Sequence, residues 1–323
     1  MARIACFGEV LIRLSPDGGA GLRDNATLDL FVGGAEANVG VGLSRLGHQV
    51  RMITALPDND LGALALETLG NEGIDTSCIV HGTGRMGLYF VEGYGTENRG
   101  KTTYDREESV FARSSADNFD FKLALEEIDL VLLGGITPAL GRGPAQAALA
   151  LAQEARAKGV PLAFDCNYRP DLWNGSDRDP ASVLRPIVEL ANILFGNHRD
   201  ARYLTGHYGS DQQAAAKSLL ERFAHLDVVI GTRRAPFDEG AITVLATADR
   251  RTGLSDADPV IIRDHIGRIG SGDAFAAAVL HGLIEGLDDS KALELGLSAM
   301  RMKHATAGDM PRFTRRDLGL SEA

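Results

Sequence analysis

The sequence predicts an α/β fold in three layers, with helices on both faces of a mostly parallel central sheet and a small β lid. Three observations predict it. Short apolar runs of strand length alternate with helix-length segments of 3.6-residue period along most of the 323 residues. The 38 glycines suit the many tight strand-to-helix turns such a chain needs. One stretch, Gly87 to Arg106, breaks the rhythm by alternating apolar and polar residues, as a half-exposed hairpin does.

Ile4 to Leu11 reads as a first buried strand with one polar intruder, Glu9, and the turn-rich Ser15 to Gly19 leads away from the core. A helix starts in Gly33-Gly34-Ala35-Glu36-Ala37-Asn38, shows Val39, Leu43 and Leu46 on one face, and ends at Gly47. Val50 to Ala55 is the next strand and Asp60 to Asn71 the next helix. Gly87 to Tyr94 and Lys101 to Arg106 form the two arms of the hairpin. Alternation then resumes with Leu130 to Leu133, a helix near Pro144 to Lys158, and strands at Val160 to Phe164, Asn192 to Phe195, Val228 to Gly231, Ala241 to Leu245 and Val260 to Ile262. Nothing resembling a linker interrupts it, so residues 1–323 read as one domain, with the lid inserted from about 12–32 and 84–113. Strands end at polar groups, Asp165 to Pro170, Gly196 to Asp200 and Thr232-Arg233-Arg234. In an open α/β sheet such ends line one ligand cleft, here shared with Gly270 to Asp273.

A net charge of −11 and a pI near 5.2, with no basic run, exclude a nucleic-acid or membrane-surface role, so an anionic ligand must be held by local groups. Cys6, Cys78 and Cys166 lack metal-like spacing and read as reduced core residues. No apolar run approaches the roughly 18 residues of a membrane span, and no targeting segment is visible, so the expected location is the cytoplasm.

The chemistry concentrates at Gly267-Arg268-Ile269-Gly270-Ser271-Gly272-Asp273-Ala274-Phe275. Glycines lead the backbone into an Ala-rich helix whose first N–H groups have no intrahelical partner, which suits an anion. Asp273 in that first turn either caps the helix or takes a proton from a nucleophile attacking the anion. Arg106 and Arg169 have the fork geometry to hold a carboxylate or phosphate, or are surface ion pairs. Asn38, Asn167 and Asn197 sit where amides either cap backbone or bind ligand, and Asp165 and Asp200 either cap or position a divalent metal. Tyr89, Phe90 and Tyr104 fit strand packing, with Tyr104 on the face of Arg106. Gly95 to Thr102 formally matches a P-loop, but that motif needs a helix directly after it, and Thr103 to Glu108 has no helical period. No HExxH or GxSxG is present, and the one formal GxGxxG, Gly82 to Gly87, leads into the alternating hairpin and not into a helix, so there is no dinucleotide fingerprint.

Gly33-Gly34-Ala35-Glu36-Ala37-Asn38 together with Gly270-Ser271-Gly272-Asp273 resemble the two signatures of the ribokinase-like (PfkB) carbohydrate kinases, and the resemblance spans essentially the whole chain, lid included. Tyr104-x-Arg106, Asp165-x-Asn167-Tyr168-Arg169-Pro-x-Leu-Trp173 and Lys303-His304-x4-Asp309 are similar to the 2-keto-3-deoxygluconate kinase branch. The resemblance implies ATP-dependent phosphorylation of the terminal hydroxyl of that acidic sugar, with Mg²⁺, in a homo-oligomer formed through the lid. A neutral-sugar kinase (fructose or ribose) and a non-catalytic sugar-acid binding protein are the alternatives. It makes Asp273 the catalytic base and the amides of Gly270, Ser271 and Gly272 the anion hole. Gly34, Asn38, Tyr89, Tyr104, Arg106, Asn167 and Arg169 become substrate ligands, Asn197, Thr232 and Arg233 face the nucleotide, and Asp200 faces its metal. Two positions depart from the family pattern. Gly267 stands where many members have an Asp linked to a monovalent-cation site, which removes the basis for potassium dependence. Asp200 stands where the family's Asn-x-x-Glu motif has the longer acid.

Overall fold

A computed structural model describes residues 1–16, 20–23, 27–94, 99–238, 240–263, 266 and 268–321. The chain runs β1 (Arg3–Phe7), β2 (Leu11–Ser15), β3 (Asp29–Gly33), α1 (Ala35–Arg45), β4 (Gln49–Pro57), α2 (Asp60–Asn71), β5 (Ile74–Asp75), β6 (Ile79–Gly82), β7 (Leu88–Tyr94) and β8 (Arg99–Asp105). It continues with α3 (Phe121–Ala124), β9 (Leu130–Gly134), α4 (Ile136–Ala139), α5 (Arg142–Lys158), β10 (Leu162–Asp165), α6 (Pro180–Val188), β11 (Ile193–Phe195), α7 (His198–Thr205) and α8 (Gln212–Arg222). Strands β12 (Val228–Pro236), β13 (Ile242–Arg250), β14 (Gly253–Asp256) and β15 (Val260–Ile262) precede α9 (Ser271–Ile284) and α10 (Asp289–His304).

The main sheet has the order β14-β13-β12-β11-β10-β9-β1-β4-β5, with β15 on β13 and β6 on β4. Pairing is parallel from β12 across to β5 and β6, and antiparallel only where β13 meets β12, β14 and β15. Successive residues of β1 alternate between two cores: Ile4 and Cys6 pack on the side of α1, α2, α9 and α10, Ala5 and Phe7 on the side of α5 to α8. That is why the strand reads as an unbroken apolar run.

The single strand expected over Ile4 to Leu11 is in fact two strands in different sheets. β1 stops at Phe7, and β2 pairs with β3 and β7 in the lid, whose order is β3-β2-β7-β8. The break falls at Gly8-Glu9-Val10 because the buried Glu9 carboxylate needs a partner, and it finds Arg106 just beyond β8. The lid is four strands, β2 and β3 coming from the earlier insertion and β7 and β8, antiparallel as expected, from the later one. The formal P-loop is not one: Gly95 to Asn98 lie outside the described residues, and the next element is strand β8, not a helix. No helix among the described residues is long and apolar enough to cross a membrane.

At the far end of α9 two buried histidines meet, His48 Nε2 and His281 Nδ1 at 2.8 Å. His48 Nδ1 accepts from the Ala2 amide at 3.2 Å, so its Nε2 carries the hydrogen and donates to His281. Glu285 brings a carboxylate within 4.8 Å, yet this bonding pattern already uses the lone pairs a metal would need. Burial, then the neighbouring His281, lowers the His48 pKa from 6.5 to about 4. A histidine held neutral by folding adds stability that is complete above pH 6.5 and drains away as pH falls towards about 4. The thermal midpoint is therefore expected to drop across that interval, and His48→Leu to flatten the drop; a parallel profile for the variant excludes this pair as the cause.

Candidate active site

A cavity of about 830 Å³ opens at the carboxyl ends of β10, β11 and β12, bounded by the lid and by the start of α9. It gathers the residues expected to serve as base, anion hole, substrate, nucleotide and metal ligands. Gly34, Asn38, Tyr89, Tyr104, Arg106, Asn167 and Arg169 line it, as do Asn197, Asp200, Thr232 and Arg233, with Gly270, Ser271, Gly272 and Asp273 along one wall.

The wall is built from two glycines in backbone conformations that disfavour side chains. Gly270 is the N-cap of α9 with φ +77°, and a Cβ there would collide with the carbonyl oxygen of Asp309. Gly34 starts α1 with φ +152°, and a Cβ there would strike the Glu9 carbonyl. The two helix starts face each other, so that Asn38 Nδ2 on α1 donates to Asp273 Oδ2 on α9 at 2.7 Å. One carboxylate oxygen is thereby fixed and the other aimed. The Ser271 amide turns back to Arg268 O at 3.3 Å, so within the expected anion hole it is already engaged, while its Oγ accepts from Arg234 Nη2 at 3.3 Å.

Charge is uneven across the cavity. Burial raises the Asp273 pKa to about 6, against the opposing Asn38 hydrogen bond and Arg169. Burial, then Asp273 and Asp200, raises Asp165 to about 7. Glu36, at the buried start of α1, rises to about 8 mainly through burial, and its Oε1 has no hydrogen-bond partner among the described residues. Across from these acids stand Arg169, Arg233, Arg234 and Arg268. Arg234 falls to about 10, first through burial and then through the guanidiniums of Arg268 and Arg169. Such mutual repulsion is relieved by a polyanion between them, and the excess of carboxylate at Asp165 is relieved by a divalent cation.

Some expected ligands are committed to the protein itself. Arg106 gives Nε and Nη2 to Glu9 Oε2 at 2.7 and 2.5 Å, and Ser109 Oγ donates to Glu9 Oε1. Tyr89 donates its hydroxyl to Asp309 Oδ2, which also faces the lid residue Arg13, 2.6 Å from Asp309 Oδ1. Its ring stacks on Tyr104, its register partner across β7 and β8, with centroids 6.4 Å apart. Asp200 spends both oxygens on α7: Oδ2 accepts from the Asn197 amide at 2.7 Å and Oδ1 from Tyr203 at 2.9 Å. The capping alternative describes it better than the metal one, whereas Asp165 keeps its cavity-lining place with only the Asn167 amide on Oδ1 among the described residues. That amide belongs to a residue at φ +39°, a left-handed conformation in which Asn is enriched among non-glycines.

Sequence reasoning passed over Arg234, Arg268, Glu36 and the Arg13–Asp309 pair. Arg234 and Arg268 carried a signal, each being adjacent to a motif residue. The pair carried none, since its members are 296 residues apart.

The profile of the pfkB family carbohydrate kinases matches residues 1–311. The chain is 32% identical over 314 residues to a 2-dehydro-3-deoxygalactonokinase of Haloferax volcanii, covering 97% of this chain and 94% of that one. It is 26% identical over 301 residues to a 5-dehydro-2-deoxygluconokinase of Shouchella clausii, covering 91% and 87%. The crystal structure of a 2-dehydro-3-deoxygluconokinase from Thermotoga maritima superposes with a TM-score of 0.91 at 27% identity, covering 99% and 98%.

Proposed function

The chain belongs to the pfkB family of carbohydrate kinases, and from that premise we propose that it transfers the γ-phosphoryl group of ATP to the terminal hydroxyl of a keto-deoxy sugar acid, 2-keto-3-deoxygluconate. One observation supports an acid above all: Arg169, which no carboxylate of the described residues pairs, lines the same cavity as Asp273, with Arg106 beside it in its pair with Glu9. Asp273 takes the hydroxyl proton on the oxygen that Asn38 leaves unbound, and at pH 7 a carboxyl titrating near 6 is mostly ionised and still basic enough to accept it. The α9 N-terminus, with Arg233, Arg234 and Arg268, holds phosphate oxygens. Mg²⁺, where bound, neutralises phosphate charge, and Asp165 is the residue suited to hold it. The lid residues Tyr89 and Tyr104 cover the sugar and exclude water, which limits ATP hydrolysis. The exposed lid residues Leu28 and Leu30 suit a contact between copies of the chain.

A coupled assay of ADP release over a panel of sugar acids and neutral sugars tests this. Preference for fructose or ribose overturns the acid reading, and ligand-induced stabilisation without ADP overturns the kinase reading. The 32% identical Haloferax protein favours 2-keto-3-deoxygalactonate as a second acid, and the same panel decides between the two epimers. Arg169→Ala is expected to raise KM for the acid about 10- to 100-fold, the range of a lost charge-assisted hydrogen bond of about 1.5–3 kcal/mol, with little change in kcat. An unchanged KM removes Arg169 from the carboxylate site.

A further inference from the structure

Lys303, in the last turn of α10, is buried at 1% exposure directly behind the anion-binding turn. Its Nζ donates to the carbonyls of Gly308 at 2.8 Å and Thr306 at 3.1 Å. Its Cε lies 3.4 Å from where a Gly270 Cβ would stand, so the ammonium stem packs on the N-cap of α9. The loop after α10 folds around this group, and that same loop places the Asp309 carbonyl against Gly270. Burial lowers the Lys303 pKa to about 8 while Asp309 opposes the shift, so the group is still mostly charged at neutral pH.

We infer that Lys303 is the built-in cation of the anion-binding turn, a positioning residue whose tethered ammonium, gripped by loop carbonyls, supports negative charge on Gly270 to Gly272 from behind. The inference rests on the phosphoryl-transfer reading of the cavity. A buried charge already fixed in place needs no reorganisation when charge develops on the transferred group. Carbonyl oxygens of this kind also suit a free monovalent ion, and here they already hold an ammonium that cannot dissociate. Gly267, where the family resemblance leads one to expect an acid linked to such an ion, lies outside the described residues, but its lack of a carboxylate agrees with a site that recruits no ion.

The experiment compares the wild type with Lys303→Ala, which leaves room for an ion, and Lys303→Met, which fills the space without charge. ADP release on the preferred sugar is measured in equal concentrations of choline, sodium, potassium and ammonium chloride, and melting is measured in the same salts without nucleotide or sugar. The wild-type rate is expected to vary less than about twofold among the salts. Lys303→Ala loses kcat roughly 10- to 100-fold, less than or comparable to removal of a direct oxyanion donor, with KM for the sugar nearly unchanged. Potassium or ammonium restores part of that rate and raises the melting temperature of this variant alone, whereas Lys303→Met stays slow in every salt. A potassium-activated wild type, a fully active folded Lys303→Met, or a Lys303→Ala that answers to no ion in rate or melting overturns the inference. Wild type that makes no ADP from any sugar overturns the kinase reading instead, and the melting comparison still decides where the cation sits.

Discussion

Asp273→Asn is expected to reduce kcat by about 10²–10⁴-fold while sugar binding persists. The substitution keeps the shape of the side chain, and its amide can still turn an oxygen towards Asn38 Nδ2, so α1 and α9 stay joined. The loss is confined to the basic oxygen. In the wild type kcat/KM should fall about tenfold per unit as pH drops below about 6, because the base must be ionised and burial has lifted its pKa to that value. The variant's residual rate should lack that inflection. Sugar-induced stabilisation measured alongside ADP release separates the two effects, and near-normal turnover eliminates Asp273 as the base.

Arg106→Ala is expected to cost about 3–5 kcal/mol of folding stability, because removing one member of a buried ion pair strands the other. Side-chain exposure is 6% for Arg106 and 1% for Glu9, so Glu9 would be left charged or forced to take up a proton. Denaturant unfolding reads this directly. An arginine that serves only the substrate gives the opposite pattern, unchanged stability with a raised KM. Replacing both residues, Glu9→Leu with Arg106→Leu, should recover much of the stability without recovering activity, since neither the pair nor the cation remains. Stability equal to that of the single variant excludes the stranded carboxylate as the cause.

The α/β alternation, the lid hairpin and the convergence of strand ends on one cleft were legible in the sequence because each rests on local period or on a strand-end rule. Asp60 to Asn71 matches its helix at both ends, where the Asn59 cap accepts from the Leu61 and Gly62 amides. Local pattern cannot carry pairing between distant residues. Glu9 looked like a polar intruder in a strand, and only Arg106, 97 residues later, explains why the strand stops there. Asp200 is ambiguous for the opposite reason: its capping bonds to Asn197 and Tyr203 are local, but an acid at a strand end fits a cap and a metal ligand alike. Lys303 and Asp309 were visible as a spacing, while their place behind Gly270 depends on how α10 packs on α9.

The pair between Arg13 and Asp309 also bears on how the protein is made. It ties the second strand of the chain to one of its last turns, and the same late loop braces Gly270. During synthesis the lid strands leave the ribosome long before their anchor does, so the first part of the chain must wait, half assembled, for the last. Closing so long a loop adds only a modest entropic cost, but it cannot happen until Asp309 has been made. Release of a nascent chain even a few residues short of Asp309 should yield a protein with most of its sheet formed and no competent site.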